Sequence, residues 1–253
     1  MAKSILVVDI GNTSTSAGLY RGGRVSHVRR LKTPGASEGD ILAFLQSIPG
    51  IDTVVGASWC TVVPKGRARW ERALARTVDG PVWRVDAKSK IGLGITYPRP
   101  DKIGADRLAN SCAAVALYGA PVIVADFGTA LTFDVVSRSE GYVGGVIAPG
   151  LPLMFSYLDE KTALLPKIDL AGVRHTVGKS TEEAMRLGAK WGYRGMVREI
   201  FSELKKTIGP GRVRLCATGG HAEQVLRGMQ PAVVVNRNLT LIGTGRIFEM
   251  NVE

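Results

Sequence analysis

The order of apolar and polar positions shows the same arrangement twice, once at the start of the chain and once near its middle. Residues 5–8 and 122–125 are short apolar runs of the kind that form strands buried on both faces. Each run leads into an Asp, an apolar residue and a Gly, and then into a second β-rich run. Asp9 and Asp126 lie 117 positions apart, close to half of the 253-residue chain. The pattern predicts a duplicated strand–turn–strand unit, although a common Asp-x-Gly hairpin would explain either copy alone.

Around these units the pattern alternates strands with amphipathic helices, which is typical of an α/β layer. Strands are predicted at residues 25–32, 53–58 and 82–85, and at 213–220 where the strand enters a glycine turn. Helices are predicted at 37–48, 64–78, 103–118 and 239–249, and a long helix begins near residue 181. Residues after Pro149-Gly150 are predicted to form a loop rich in Leu and Pro. We expect two domains, residues 1–120 and 121–253.

Small residues recur at regular spacing along the predicted long helix, and they bear on whether the protein forms a dimer. Ala184, Gly188, Gly192 and Gly195 form a stripe, and glycine inside a helix lowers its stability. The stripe therefore predicts that another helix packs very close to it, for example across a dimer interface.

Composition and charge narrow the class of protein. Hydrophobic residues make up 45% and charged residues 22%, which is ordinary for a globular protein. No apolar run approaches the roughly 18 residues of a membrane span and no signal peptide is recognisable, so we expect a cytoplasmic protein without a membrane partner. The net charge of +11 raises the question of an anionic partner. Because the basic residues are dispersed and no aromatic residues interleave with them, a solvated surface is favoured over nucleic-acid binding.

The two glycine turns carry the chemistry that the sequence favours. Amide N–H groups and Ser or Thr hydroxyls in such turns can hold phosphate oxygens, and the acid at the strand end can hold a metal ion. A further candidate is Gly104-Ala-Asp-Arg107, where Asp106 and Arg107 fall in the first turn of a helix; an acid there can also be explained by the helix dipole. Gly178-Lys179-Ser180 is not the end of a P-loop, because the required first glycine would fall at Val173. Three cysteines without paired spacing indicate buried thiols rather than disulfides or a zinc site.

Two α/β halves that each begin with this unit resemble the actin-like phosphotransferases, and the full set of motifs is similar to the type III pantothenate kinase family. The resemblance covers essentially the whole chain in family order. It rests on Asp9-Ile-Gly-Asn-Thr13, Gly104-Ala-Asp-Arg107, Asp126-Phe-Gly-Thr-Ala130, Gly144-Gly-Val-Ile-Ala-Pro-Gly150, Gly178-Lys-Ser-Thr181 and Ala217-Thr-Gly-Gly220. Ser180 stands where the family's motif has Asn.

The resemblance implies two RNase H-like (actin-like) domains, each a mixed β-sheet flanked by helices, with a nucleotide cleft between the domains. The implied reaction is ATP-dependent phosphorylation of pantothenate, the first step toward coenzyme A, in a homodimer that uses Mg²⁺ with ATP. Asp106 matches the catalytic base, and Asp126 matches the ligand of a monovalent cation, K⁺ or NH₄⁺. The implied ATP-binding residues are Asp9, Ile10, Gly11, Asn12, Thr13, Ser14, Thr15, Ser16 and Thr129, and the implied pantothenate-binding residues are Tyr97, Gly104, Ala105, Asp106, Arg107 and Thr181.

Two other classes of function stay open at this point. One is an actin-like kinase with another small hydroxyl acceptor. The other is a non-catalytic accessory transcriptional regulator of the same family, which the basic charge would suit. Intact Asp9, Asp106, Asp126 and Thr129 favour the enzyme over the regulator.

Overall fold

The computed structural model describes residues 3–161, 165–166, 168, 175–208 and 211–252. Its contacts divide the chain into two compact units. The first unit comprises Met1–Gly119, Arg138–Val143 and Asn238–Glu253, and the second comprises Ala120–Ser137 and Gly144–Arg237. Within the described ranges, none of the helices combines the length and the hydrophobicity needed to cross a membrane.

Each half of the chain begins with three consecutive strands, and helices interspersed with single strands follow. The strands are β1 (Ser4–Ile10), β2 (Ser14–Arg21), β3 (Arg24–Lys32), β4 (Val54–Thr61), β5 (Val82–Arg84), β6 (Val122–Phe127), β7 (Ala130–Ser137), β8 (Gly141–Pro149), β9 (Arg214–Thr218) and β10 (Val234–Val235). The helices are α1 (Glu38–Gln46), α2 (Arg67–Thr77), α3 (Ala105–Tyr118), α4 (Leu151–Lys161), α5 (Thr181–Ile208), α6 (Ala222–Leu226) and α7 (Leu239–Asn251), with short 3₁₀ helices at Ile51–Thr53 and Pro100–Lys102.

The two sheets have the same strand order, so the predicted duplication is confirmed. The first runs β3-β2-β1-β4-β5, and the second, read from its other edge, runs β8-β7-β6-β9-β10. In each sheet the central strand pairs antiparallel with the strand that follows it and parallel with the strand on its other side. The α/β class and the mixed sheets flanked by helices agree with the expectation from the sequence.

Helices cover both faces of the first sheet. Leu6, Val8 and Ile10 of β1 join a core cluster with α1 and α2, which includes Leu45 and Trp70. Because side chains alternate across a strand, Ile5, Val7 and Asp9 point to the opposite face. That face is packed against α7, which in turn packs on α3.

The C-terminal helix differs from the sequence expectation, which placed it with the second half. It is grouped with the first unit because it packs on α3, β1, β2 and β4. The approach is close: a Cβ on Gly243 would overlap the carbonyl oxygen of Ala109 in α3, and a Cβ on Gly245 would overlap the ring of Tyr20. Such long-range packing leaves no local signal in the sequence.

One predicted element is wrong. Residues 151–161, expected as a loop rich in Leu and Pro, form α4. Pro152 stands in the first turn, where a helix does not need the missing N–H, so this proline is compatible with a helix start. The rest of the predicted loop, at 162–164, 167 and 169–174, lies outside the described residues.

Candidate active site

The predicted residue Asp9 lies where the carboxyl ends of three parallel strands of the first sheet come together. Strands β1, β4 and β5 run in the same direction, so their carboxyl ends meet there. Asp9 is paired in register with Cys60 on β4 and with Ser16 on β2. Its carboxylate therefore lies near the end of β1, with β2 on one side and β4 on the other. It points to the face of the sheet that α7 and α3 cover. Ligands of open α/β sheets bind at such carboxyl ends.

The turn after Asp9 is tight and exposed. The Gly11 N–H donates to the carbonyl oxygen of Ser14 over 3.1 Å. A Cβ at Gly11 would come within 3.0 Å of that oxygen, so glycine fits this position best. Asn12, Thr13 and Ser14 are exposed at the tip. Their backbone and side chains can therefore be reached by a phosphate chain.

Two residues predicted to bind ATP have side chains turned away from this tip. Ile10 belongs to the core cluster beside α1 and α2. Thr15 is fully buried, and its hydroxyl is 2.9 Å from that of Thr33. Any contact of these two residues with a nucleotide would come through their backbone. The ATP-binding assignments for residues 9–16 stay predictions.

Asp106 lies in the first turn of α3 in a partly buried position. Its Oδ1 accepts a hydrogen bond from the Arg107 N–H over 2.8 Å, which fixes the carboxylate beside the helix start. A Cβ on Gly104 would come within 2.5 Å of the same oxygen, so the glycine leaves room for the carboxylate. Burial raises the pKa of Asp106, although the hydrogen bond and the charge of Arg107 act in the opposite direction. The result is a carboxylate with more affinity for a proton than an ordinary Asp.

Tyr142 contacts two of the predicted substrate-binding residues of the first unit, Tyr97 and Arg107. Its ring is buried and stands edge-on to Tyr97, with the ring centroids 6.1 Å apart. The guanidinium carbon of Arg107 lies 5.9 Å from the Tyr142 ring centroid, within the range of a cation–π interaction. Sequence reasoning missed Tyr142 because its partners are more than thirty residues away. Its only local signal was the glycine-rich run of β8.

A cavity of about 340 Å³ opens next to the start of α3. It is lined by residues at and just after the ends of β4 and β5, including Thr61, Arg84 and Asp86, and by Gly104 and Ala105. Gly104 and Ala105 also belong to the predicted pantothenate-binding residues. The cavity thus lies at the carboxyl ends of the parallel strands, next to part of the predicted substrate site.

In the second unit, Asp126 occupies the position that Asp9 has in the first. It is paired in register with Thr132 on β7 and with Thr218 on β9. Gly219 has a φ of +92°, and a Cβ there would come within 2.6 Å of Asp126 Oδ1. The backbone therefore approaches the carboxylate closely and leaves a space that only glycine keeps open.

Asp126 is the residue of the second unit that the family resemblance assigns to a cation. Among the described residues, no group of three or more His, Cys, Asp or Glu side chains could hold a metal ion. The neighbours of Asp126 instead offer hydroxyl and backbone carbonyl oxygens. This donor set fits a hard cation of low charge better than a transition metal, which prefers nitrogen or sulfur ligands.

Thr129 is exposed at the second turn, where the Gly128 N–H donates to the Ala130 carbonyl oxygen over 3.1 Å. Gly150, at the end of β8, supports this turn from behind, because a Cβ there would overlap the carbonyl oxygens of Gly128 and Thr129. The sequence placed Gly150 at the end of a glycine-rich family motif but did not predict its contact with this turn. Thr181 begins α5 and is exposed.

Comparison with known proteins identifies a family. The family model described as Type III pantothenate kinase matches residues 5–203. A relative from Methylacidiphilum infernorum named Type III pantothenate kinase is 38% identical over 97% of this chain and 88% of its own.

Among solved structures, a Campylobacter jejuni protein titled as belonging to the Baf family of transcriptional activators has a TM-score of 0.64 at 17% identity, covering 96% of this chain and 97% of its own. A ROK family glucokinase from Streptomyces griseus, in complex with glucose and AMPPNP, has a TM-score of 0.54 at 17% identity, covering 96% and 98%. At these identities the two structures show a shared fold, the actin-like one.

Proposed function

The chain belongs to the type III pantothenate kinase family, and we propose on this basis that it transfers the γ-phosphoryl group of ATP to pantothenate, giving 4'-phosphopantothenate for coenzyme A synthesis. The observation within the structure that supports this function best is Asp106. It combines a fixed carboxylate, a raised pKa and a place at the opening of α3 beside a cavity. A general base for a hydroxyl acceptor needs these properties.

The reaction requires a proton acceptor on the attacking hydroxyl. As the pantothenate oxygen bonds to the γ-phosphorus, the bond from that phosphorus to the bridging oxygen breaks and ADP leaves. The hydroxyl proton passes to Asp106. Because the transition state of phosphoryl transfer is loose, alignment and charge neutralisation supply most of the rate enhancement.

The neighbours of Asp106 orient the acceptor. Arg107 carries a positive charge next to Asp106, suited to an anionic substrate, and its position over the Tyr142 ring limits its motion. Tyr97 packs edge-on against the same Tyr142 ring, which places it beside Arg107. We therefore assign substrate binding to Tyr97 and residues 104–107 of the first unit. For Thr181, at the start of α5, the assignment rests on the family resemblance alone.

The glycine turns would hold the nucleotide. The exposed residues Asn12, Thr13 and Ser14 offer polar groups that suit the phosphates of ATP, and Thr129 offers a hydroxyl at the second turn. Mg²⁺ bound with ATP would neutralise phosphate charge. Asp126, with the carbonyl and hydroxyl oxygens around it, would hold K⁺ or NH₄⁺.

We further propose that the protein is a cytoplasmic homodimer. Glycines 188, 192 and 195 of α5 lie at the surface of the described part of the chain, since a Cβ on any of them would meet no atom of the described residues within 4 Å. Trp191 on the same helix is 49% exposed, which is high for a large apolar side chain. This surface suits a second copy of α5. The three cysteines are buried thiols, in keeping with a reducing compartment.

A coupled ADP-release assay with pantothenate, ATP, Mg²⁺ and K⁺ tests the function, with mass spectrometry of the product. Glucose and other small alcohols serve as alternative acceptors, and Asp106→Asn serves as the matched inactive variant. We expect phosphopantothenate from pantothenate only. Turnover of another acceptor in preference to pantothenate, or no transfer at all, would contradict the proposal.

A further inference from the structure

A buried thiol touches the carboxylate of Asp9. Cys60 Sγ is 3.4 Å from Asp9 Oδ1 and 3.6 Å from the hydroxyl oxygen of Thr244 on α7. Cys60 is completely buried on β4, directly beside Asp9 in the parallel register. The thiol therefore lies between the strand-end carboxylate and the helix that covers this face of the sheet.

The hydrogen-bond geometry determines which group donates. The single hydroxyl proton of Thr244 is used in a 2.8 Å bond to the carbonyl oxygen of Thr240. A carboxylate can only accept, so the S–H group of Cys60 is the donor toward Asp9. Burial and the negative charges of Asp9 and Asp106 all raise the pKa of the Cys60 thiol, so the thiol keeps its proton.

The second sheet repeats this arrangement with a different donor. The position equivalent to Cys60 is Thr218, which is buried and paired in register with Asp126. Each strand-end aspartate thus has a side chain capable of donating a hydrogen bond on its parallel neighbour. A purely space-filling residue would need no such group in either copy.

We propose that Cys60 is a positioning residue that holds the Asp9 carboxylate in the orientation needed at the nucleotide turn. The inference rests on the proposed assignment of Asp9 to ATP binding. The terminal rotation of an Asp side chain is broad, so a carboxylate at a strand end is not fixed by its rotamer alone. A hydrogen bond to Oδ1 fixes this rotation and sets the direction of the second oxygen. The thiol acts through Asp9 and does not touch the substrate.

Three variants test the proposal by equilibrium binding of ADP with Mg²⁺, measured by calorimetry. Cys60→Ala removes the donor, Cys60→Ser keeps one, and Cys112→Ala removes a different buried thiol of the same unit. We expect Cys60→Ala to weaken binding by about three- to tenfold, the range for one net hydrogen bond. Cys60→Ser is expected to stay within about twofold of the unsubstituted protein, and Cys112→Ala to bind ADP normally. In kinetics, the loss should appear mainly in the KM for ATP rather than in kcat.

Infrared spectroscopy gives a readout that does not depend on Cys60→Ala folding or on the identity of the acceptor. The difference spectrum between the unsubstituted protein and Cys60→Ser isolates the S–H stretch of Cys60. A hydrogen bond to a carboxylate should lower this frequency, and Asp9→Ala should return it to that of a thiol without such a bond. If pantothenate is not the acceptor, both the binding and the infrared results still stand. An S–H frequency unchanged by Asp9→Ala, or equal ADP affinity in Cys60→Ala and the unsubstituted protein, would overturn the proposal.

Discussion

Replacing Asp106 by Asn should separate proton acceptance from every other role of this side chain. Asn keeps the shape of Asp and keeps an Oδ1 that can accept the 2.8 Å bond from the Arg107 N–H. The start of α3 and the room left by Gly104 are therefore preserved. The substitution removes only the negative charge and the ability to take a proton.

The expected loss in kcat is about 10²–10⁴-fold, the usual contribution of a general base. At 1.36 kcal/mol per tenfold change, this corresponds to roughly 2.7–5.4 kcal/mol of transition-state stabilisation. Binding of ATP, measured by calorimetry, should change little because Asp106 does not belong to the nucleotide turns. Asp79→Asn, an exposed acid in the loop after α2, is the matched control and should leave kcat unchanged. Near-normal turnover of Asp106→Asn would refute the role of Asp106 as the base.

The same variant has an expected effect on stability. Burial raises the pKa of Asp106, so the folded state favours the protonated acid. Its stabilising contribution is fully present below the unfolded pKa and is lost as the pH rises through the folded pKa. At neutral pH, Asp106→Asn should therefore unfold at a higher urea concentration than the unsubstituted protein, and the difference should vanish at low pH. A variant less stable at neutral pH would show that the carboxylate is compensated in the fold. For the same reason, the pKa that governs the acid limb of the profile of kcat/KM against pH should be higher than that of an ordinary Asp.

Three further changes test other parts of the structure. Gly150→Ala should weaken ADP binding in calorimetry, because its Cβ would displace the turn that carries Thr129; unchanged affinity would show that this turn does not contact the nucleotide. Gly243→Ala should lower the free energy of unfolding by roughly 1–3 kcal/mol, since its Cβ would overlap the carbonyl oxygen of Ala109. In urea denaturation its control is Gly39→Ala, at an exposed position of α1, which is expected to be neutral or to gain about 0.5–1 kcal/mol. Equal effects of the two substitutions would contradict the close packing of α3 on α7. Turnover should require K⁺ or NH₄⁺, and equal rates in Na⁺ alone would remove the proposed cation site in the second unit.

The sequence was sufficient for features that depend on local order along the chain. The duplicated units around Asp9 and Asp126 could be predicted because each copy repeats the same succession of apolar run, acid and glycine. The start of α3 could be predicted because Asp106 follows a Gly-Ala lead. Helix α4 was missed because Leu-Pro after a glycine was interpreted as a loop, although proline is well tolerated in a first helical turn.

What could not be predicted depends on contacts between distant positions. Tyr142 reaches Tyr97 and Arg107 only because β8 runs beside the loop that holds Tyr97, with the Tyr142 N–H donating to the Gly94 carbonyl oxygen over 2.8 Å. Cys60 is an isolated thiol in the sequence, and its contact with Asp9 depends on the parallel register of β1 and β4. The packing of α7 on the first sheet likewise could not be predicted, because Gly243 and Gly245 make room for Ala109 and Tyr20, which are distant in the sequence.

The duplication gives two similar sites that differ in the details that matter for their chemistry. The first turn is one residue longer than the second and exposes Asn12, Thr13 and Ser14 at its tip, which suits an extended phosphate chain. Around Asp126 the backbone of Gly219 closes in on the carboxylate, which suits a small ion held largely by oxygens. Only the first unit adds α3, which presents a carboxylate of raised pKa at its first turn. In the proposed function, the repeated scaffold would bind the nucleotide and the cation, whereas the proposed base, Asp106, lies on a helix outside the repeated strand–turn–strand unit.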